Sequence, residues 1–563
     1  MPTLNWIGKE KIITHHNDVP FRVLDKKYSY GNKNSENIII HGDNLYALKS
    51  LLPKYEGQVD CIYIDPPYNT GKKEGQWVYS DNVNDPRIQK WIGQVVGEEG
   101  EDLSRHDKWL CMMYPRLKLL HKLLKDTGVI LISINDYEYE HLKCICNEIF
   151  GPNNFVENFI WYVDGHTDNQ DAITTVHEYI LCFAKNKNLL RVNDVVDPNT
   201  PEDSKILNSF AENSITKNGF KNPASIIELP AGFPCESENL FKEKHENCEE
   251  LINRATEHGF ITREMTKELL ITYPARLDDM IVENSVLKQP CRVYSGWMNN
   301  GKLLRFIENG FKPIDDNGTK VKFYLSKNGV IYYRRDGRKN HYIQSILENM
   351  GTTETNKYML EEMGIKFDYP KPVTLIEYLL SMFTSKDSII LDSFAGSGTT
   401  IHATLSLNQK DGGKRKCISI EMMDYAERNV AQRAKCLIDG FRGTKIDSGF
   451  SFYELGEPIF DENLNLNPKL DEEVIKQFVY YTETHKDIEK SEDSNYLGES
   501  DSTAYYMFYK RSEQTCLNFK TLKEITKKAD AYVIYADSCT LSQEYMTKNH
   551  IIFKKIPRDV QKL

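Results

Sequence analysis

Asp65-Pro66-Pro67-Tyr68 is the stretch of this sequence best equipped for chemistry. It follows a short apolar run, Val59 to Ile64, whose β-branched residues read as a buried strand. Neither proline has an N–H to donate to a ladder, so the chain turns at the strand's carboxyl end. In an open parallel sheet that edge is where ligands sit. The turn presents a carboxylate, a backbone carbonyl not tied up in a helix, and an aromatic ring. Those groups suit a planar, hydrogen-bonding substrate such as a nucleobase. A second stretch offers different chemistry. Ser388 to Asp392 reads as a strand, and Ser393-Phe394-Ala395-Gly396-Ser397-Gly398-Thr399-Thr400 as a Gly-rich turn opening a helix, Thr400 to Leu407. Cys417 to Ile420 is a further strand, ending at Glu421. This is the recipe for a nucleoside-containing cofactor. Glycines let the backbone come close, and the helix start offers N–H groups to a carboxylate or phosphate. The acid at the next strand end accepts ribose hydroxyls. The turn is not a P-loop, since no Lys follows Gly398 at the required spacing, and the third Gly of the dinucleotide fingerprint is missing.

The elements around these turns alternate. Ile38 to His41 reads as a strand and Asn44 to Lys54 as a helix, giving a βαβ unit with Val59 to Ile64. Trp109 to Lys125 and Tyr139 to Phe150 have helical periodicity; Val129 to Ile134, Phe159 to Val163 and Tyr179 to Ala184 read as strands. This alternation predicts an α/β fold with a mainly parallel sheet. Residues 1–36 read as polar and irregular. Residues 69–105, with Trp77, Tyr79 and Trp91, read as a long loop placed to act as a lid. The rhythm dissolves at 186–350 and returns at Pro370 with a helix, Val373 to Met382; Asp424 reads as the cap of a helix reaching Ile438. From 446 an acidic, flexible stretch precedes strands Ala504 to Tyr509, Ala531 to Tyr535 and Ile551 to Lys554. Four regions are expected: 1–185, an inserted domain 186–350, 351–445, and a C-terminal α+β domain 446–563.

Composition sets the outer bounds. At 563 residues the chain exceeds a single core. Its 12 cysteines show no paired CxxC, so reduced thiols are expected and no metal site. No apolar run is long enough for a bilayer and no signal-peptide pattern opens the chain, so a cytoplasmic protein with no membrane partner is expected. The net charge of −11 does not advertise nucleic acid, but it is unevenly spread. Lys320, Lys322, Arg334, Arg335, Arg338 and Lys339 interleave with Tyr324, Tyr332 and Tyr333. Asp336-Gly337 reads there as a hairpin turn. This basic hairpin is the candidate for phosphate contact, with a solvated edge hairpin as the bland alternative.

Phe394-Ala395-Gly396-Ser397-Gly398 together with Asp65-Pro66-Pro67-Tyr68 resembles the two signature motifs of the amino-group DNA methyltransferases, in the beta-class order with the catalytic motif first. The blocks Trp109 to Arg116, Gly128 to Asp136, His177 to Leu181 and Pro370 to Pro372 fit further blocks of that family, while Asn5-Trp6-Ile7-Gly8-Lys9 and the segment Tyr532 to Pro557 resemble the bacterial modification (Mod) subunits of type III restriction systems. The resemblance implies a circularly permuted, doubly wound fold whose sheet is assembled from both ends of the chain, with Ile38 to His41 next to the strand ending at Glu421. It implies S-adenosylmethionine as cofactor, held by Asp43, Lys371, Asp392, Phe394, Gly396, Ser397, Gly398, Thr399, Thr400 and Glu421. It implies methylation of the N6 amine of a flipped adenine in double-stranded DNA at Asp65, Pro66, Pro67 and Tyr68, with 186–350 recognising the target. A homodimer and a separate restriction (nuclease/helicase) subunit are the implied partners, with 446–563 the candidate docking region. The alternatives are cytosine-N4 methylation, for which Ser commonly replaces Asp65, a solitary adenine methyltransferase, and a non-catalytic DNA-recognition subunit. His177 reads equally as structural or base-contacting.

Overall fold

The computed structural model describes residues 3–70, 104–163, 174–337, 342–461, 463–486, 488, 491, 493–557 and 559–560. They form two compact units, Met1–Asn193 with Gln344–Leu563, and Asp194–Ile343. The expected lid falls outside the described residues from 71 to 103, with Trp77, Tyr79 and Trp91; so do Arg338 and Lys339.

A ten-stranded sheet organises the first unit. Its order is Arg22–Gly31, Gly449–Pro458, Asn37–His41, Lys416–Glu421, Ile389–Asp392, Val59–Ile64, Leu124–Ile134, His177–Ala184, Phe155–Tyr162, Ile346–Leu347. Six of the nine neighbouring pairs are parallel; Arg22–Gly31 and both partners of His177–Ala184 make the antiparallel ones. The central strands are mostly apolar on both faces because both are covered, with Asp60, Ser133 and Ser419 among the exceptions. Ile40, Ile418 and Ile420 point into a layer with helices Asn44–Tyr55, Arg105–Leu123 and Tyr139–Phe150. Their neighbours Ile39 and Cys417 point the other way, against Thr399–Asp411 and Gln432–Asp439, as the two-residue period of a strand requires. The fold is therefore a doubly wound, mainly parallel α/β sheet. Glu421 pairs with His41, so the sheet is closed from both ends of the chain.

Local chemistry sets the boundaries. Helix Arg105–Leu123 begins four residues before Trp109 because Ser104 and Asp107 form a reciprocal capping box. Strand Leu124–Ile134 follows it directly, and Gly128 lets it lie close to its neighbour: a Cβ there would meet Val59 O at 2.9 Å. Asp424 does not cap the next helix by its side chain. A π-helical segment, Ala426–Ala431, starts after Tyr425, and Asp424 instead gives its carbonyl to Arg428 N–H.

Two expectations fail at the margins of the sheet. Residues 1–36 are not irregular throughout, since Arg22–Gly31 is an edge strand. Strand Gly449–Pro458, beyond the expected boundary at 446, lies between Arg22–Gly31 and Asn37–His41. The acidic stretch that follows carries helix Glu472–Thr484, which buries Ile475, Val479 and Tyr480 against the sheet Tyr496–Ser500, Thr503–Met507, Ala531–Ala536, Ile551–Lys555.

The second unit is built from small antiparallel sheets. One has the order Ile314–Asp316, Thr319–Leu325, Ile331–Asp336, Phe210–Ser214. Its hairpin turn is at 327–329, not at Asp336-Gly337: Gly329 takes the left-handed conformation (φ 72°), and Ser326 and Val330 close the loop.

Candidate active site

Strands Ile389–Asp392 and Val59–Ile64 are hydrogen-bonded parallel neighbours, Ile390 opposite Cys61 and Leu391 opposite Ile62. The Asp65 turn and the Gly-rich turn therefore leave the sheet side by side at its carboxyl edge.

Charged side chains dominate the first turn. Asp65 Oδ2 is 3.0 Å from Lys371 Nζ, and Oδ1 is 2.9 Å from the Tyr68 hydroxyl. Glu178, at the start of strand His177–Ala184, joins both: its Oε2 is 3.2 Å from Lys371 Nζ and 2.9 Å from the Tyr68 hydroxyl. Burial alone would lower the Lys371 ammonium, but the charges of Asp65 and then Glu178 outweigh it and raise the group above its ordinary value. Burial, followed by the same two carboxylates, lifts the Tyr68 hydroxyl well above an ordinary phenol. Lys371 Nζ also lies 4.9 Å from the centre of the Tyr68 ring. The backbone of the turn is anchored from behind. Trp109 Nε1 donates to Pro67 O at 2.7 Å, and buried Asn69, in the left-handed region (φ 57°), donates to Glu138 Oε1 and to Arg105 O.

Glu138 is wholly buried and takes two more donors, His106 Nδ1 at 2.7 Å and His141 Nδ1 at 2.8 Å. Among the described residues this is a group with the donor types of a metal site. Its separations are those of hydrogen bonds, and Arg105 Nε donates to His106 Nε2 at 3.3 Å, which leaves the His106 proton on the nitrogen facing Glu138. Asn69, His106 and His141 thus all approach the one buried carboxylate within hydrogen-bond distance.

The second turn is built from backbone donors and buried acceptors. Asp392 accepts from Phe394 N–H at 3.0 Å and from the Thr400 hydroxyl at 2.5 Å. Burial above all, aided by the charges of Asp65 and Glu421, pushes its carboxyl up to about 7 against those two hydrogen bonds. Glu421 accepts from Gly396 N–H at 2.8 Å and Met423 N–H at 2.9 Å, so it pins the turn directly. Gly398 is left-handed (φ 76°) and caps helix Thr399–Asp411. Arg433, fully buried, donates to Ser397 O at 3.0 Å and Thr399 Oγ1 at 3.1 Å; burial pulls its guanidinium down to about 9. Thr399 in turn donates to the Lys371 carbonyl at 3.2 Å, joining the two turns.

The DNA methylase family profile matches residues 59–432, which takes in both turns. The chain belongs to that family. It is 32% identical over 421 residues to the type III restriction-modification enzyme StyLTI Mod subunit of Salmonella typhimurium, covering 72% of this chain and 55% of that protein. It is 32% identical over 454 residues to the EcoPI Mod subunit of Escherichia phage P1, covering 74% and 63%. The chain thus spans little more than half to under two thirds of the length of these relatives. The type II methyltransferase M.KpnI of Klebsiella pneumoniae is 30% identical over 393 residues, 68% of this chain and 79% of that one. Among solved structures, the PvuII DNA methyltransferase (cytosine-N4-specific) matches with a TM-score of 0.31 and 14% identity over 71% of this chain and 86% of that one. A putative DNA modification methylase from Thermus thermophilus, complexed with S-adenosyl-L-methionine, gives 0.31 and 14% over 75% and 98%.

In this methylase the residues expected to act together fall into three groups. Asp65 to Tyr68, Lys371, Asp392 to Thr400 and Glu421 gather at one sheet edge. Asp43 sits at the start of helix Asn44–Tyr55, where it accepts from Leu45 N–H at 2.8 Å and pairs with buried Arg116 at 3.1 Å, an Asx turn as well as a candidate cofactor acid. Its neighbour Asn44 donates to Ser393 O at 2.8 Å. Of the basic set, Lys322 faces Arg334 across the hairpin and Lys320 lies on their face, beside the stacked rings of Tyr324 and Tyr332; Arg335 alternates to the opposite face beside Val321. His177 bonds Tyr179 through its ring at 2.9 Å. Sequence reasoning placed Glu178 and Trp109 in family blocks without giving either a role, and did not single out Glu138 or Arg433. Only the Glu138–His141 spacing carries a local signal; the others act through partners distant in sequence.

Proposed function

We propose that this chain is an S-adenosylmethionine-dependent DNA methyltransferase acting on the N6 amine of adenine, as the modification subunit of a type III restriction-modification system. The observation that carries the reading is the adjacency of the Asp65 turn and the Gly-rich turn at neighbouring strand ends. The residues fit the cofactor. Gly396 and Gly398 are both left-handed and open the backbone, and Asp392 and Glu421 are buried acceptors that hold the turn. When bound, the cofactor supplies an already activated sulfonium methyl, so no covalent protein intermediate is needed.

The chain's own residues must make a poor nucleophile reactive. The exocyclic amine of adenine has its lone pair delocalised into the ring. Asp65 and the Pro66 carbonyl accept its two N–H groups, aim the lone pair at the methyl and stabilise the positive charge that develops on nitrogen. The base leaves the duplex to reach them, at a cost of a few kcal/mol; stacking on Tyr68 returns about 1–3 kcal/mol. Asp at position 65 favours adenine over cytosine. The Lys320, Lys322, Tyr324, Tyr332 and Arg334 face of the hairpin is the proposed phosphate contact, and a second copy and a nuclease subunit are the proposed partners.

Methyl transfer from labelled S-adenosylmethionine to DNA, RNA and protein in parallel tests the reading, followed by single-molecule sequencing of the product. Label on N6-adenine in DNA, at one sequence, is expected. Label on protein or RNA alone overturns it, and label on cytosine reassigns the base.

A further inference from the structure

Both oxygens of Asp65 are occupied. Oδ2 meets the Lys371 ammonium and Oδ1 the Tyr68 hydroxyl. Each oxygen can accept a second hydrogen bond, but with Lys371 on it the Asp65 charge is offset, so Asp65 meets the target amine as a full anion only if the ammonium moves to another carboxylate. Lys371 is only one tenth exposed, and a buried cation left without a partner is costly. A second carboxylate already waits for it: Glu178 contacts the same ammonium at 3.2 Å and the same hydroxyl at 2.9 Å.

We propose that Glu178 is a positioning residue for methyl transfer, which takes over Lys371 and Tyr68 as Asp65 turns to the incoming amine. The proposal rests on the function argued in the preceding subsection. Charge supports it. Two carboxylates and one ammonium leave the cluster with a net charge of −1, so when Glu178 neutralises Lys371, Asp65 remains an anion beside the nitrogen on which positive charge develops. A neutral side chain at 178 would keep Lys371 on Asp65, its charge offset and the cluster neutral.

The architecture suits such an exchange. Glu178 is carried by a strand paired on both sides, Trp161 opposite it on one and Tyr179 beside it opposite Ile134 on the other, so its place is fixed by the sheet. Asp65 lies just past its strand, on the turn. Tyr68 has one hydroxyl proton and two carboxylates within 2.9 Å, so it bonds them in alternation. Lys371 also accepts the Thr399 hydroxyl at its carbonyl, so the exchanging side chain hangs from a backbone tied to the cofactor turn.

The test is epistasis. Single-turnover methyl transfer to DNA, cofactor affinity and thermal midpoint are measured for the wild type, Glu178→Gln, Glu178→Asp, Lys371→Met and the Glu178→Gln/Lys371→Met double variant. Glu178→Gln is expected to slow transfer roughly 30–100-fold with cofactor affinity within about threefold, and Glu178→Asp, which keeps the charge, to recover part of the rate. The double variant is expected to be faster than Glu178→Gln alone, because no cation remains to offset the charge of Asp65. A Glu178→Gln rate within twofold of wild type, or losses that simply add in the double variant, overturns the role. A wild type that transfers no methyl group to DNA overturns the underlying function and this role with it.

Discussion

The two turns at the carboxyl edge are made in opposite ways. The Asp65 turn is a set of charges in contact with one another: two carboxylates, an ammonium and a phenol, each with more than one partner. The Gly-rich turn is fixed by groups with no such freedom. Asp392 and Glu421 are buried and held by backbone N–H groups and a hydroxyl, and Arg433 clamps Ser397 and Thr399 from below. One is a site whose hydrogen bonds can be traded; the other is a mould. On the proposed function, the cofactor, which only has to be held, would take the mould, and the base, whose amine must be rehybridised, the acceptors that can be released to it.

The sharpest way to break this contrast is Asp65→Ala. It should lower methyl transfer by about 10²–10³-fold or more, by analogy with deleting one preorganised electrostatic contact to a transition state, and leave cofactor affinity within a few fold. The measurement is single-turnover transfer beside equilibrium cofactor binding. A variant that loses cofactor affinity instead would make the two turns a single rigid unit.

Gly398→Val is the reciprocal change. Its φ of 76° is strained for any side chain, and a Cβ would meet Val430 Cα at 3.0 Å. Left-handed backbone alone is worth about 1–2 kcal/mol, so cofactor affinity should fall at least about tenfold, with most of the transfer rate regained at saturating cofactor. Loss of rate with unchanged affinity would show that this turn does not hold the cofactor.

These contrasts were unevenly legible in the sequence. Val59–Ile64, Ile389–Asp392 and Lys416–Glu421 could be read because strands covered on both faces are mostly apolar, and the two turns because proline pairs and glycines punctuate them. Arg22–Gly31 could not, since an edge strand with half-exposed Asp, Lys and Tyr has no such run and takes its pairing from Gly449–Pro458, at the far end of the chain. Glu178 was hidden for a related reason. It lies in the His177 to Leu181 block, but nothing in that block names its partners; its place depends on an antiparallel strand set beside the parallel core and on a lysine in a different part of the chain. The Glu421 carboxylate was found, but its bonds to Gly396 and Met423 add a task, shaping the turn, that spacing alone does not reveal.

The second unit extends the contrast to DNA affinity, which neither turn should supply. Lys322 and Arg334 face each other on a half-buried hairpin face, where Arg334 also pairs with Asp336 at 3.1 Å and has Glu212 opposite it on strand Phe210–Ser214, so a phosphate would compete with those carboxylates. The Lys322→Ala/Arg334→Ala pair should lower the dependence of log affinity on log salt by about 2 and weaken DNA binding several-fold at moderate salt. Cofactor affinity should be unchanged. A titration of DNA affinity against salt decides it, and an unaltered slope would leave the hairpin without a role in phosphate contact.

The smallest expected effect concerns the mould itself. The Asp392 carboxyl, pushed up to about 7 by burial, holds a proton in the folded protein that it loses in the unfolded chain once the pH passes its ordinary value near 4. Between those values the folded state binds more protons, so its contribution to stability is full at low pH and is lost as the pH rises through about 7. Asp392→Asn removes the titration while keeping an acceptor for Phe394 N–H and a donor for the Thr400 oxygen. The variant should therefore gain thermal stability relative to the wild type between pH 5 and pH 8, by a few degrees. Parallel melting curves at the two pH values test it. Were the difference between the proteins constant with pH, the carboxylate would be ionised in the fold, and the second turn would prove as charged, and as open to exchange, as the first.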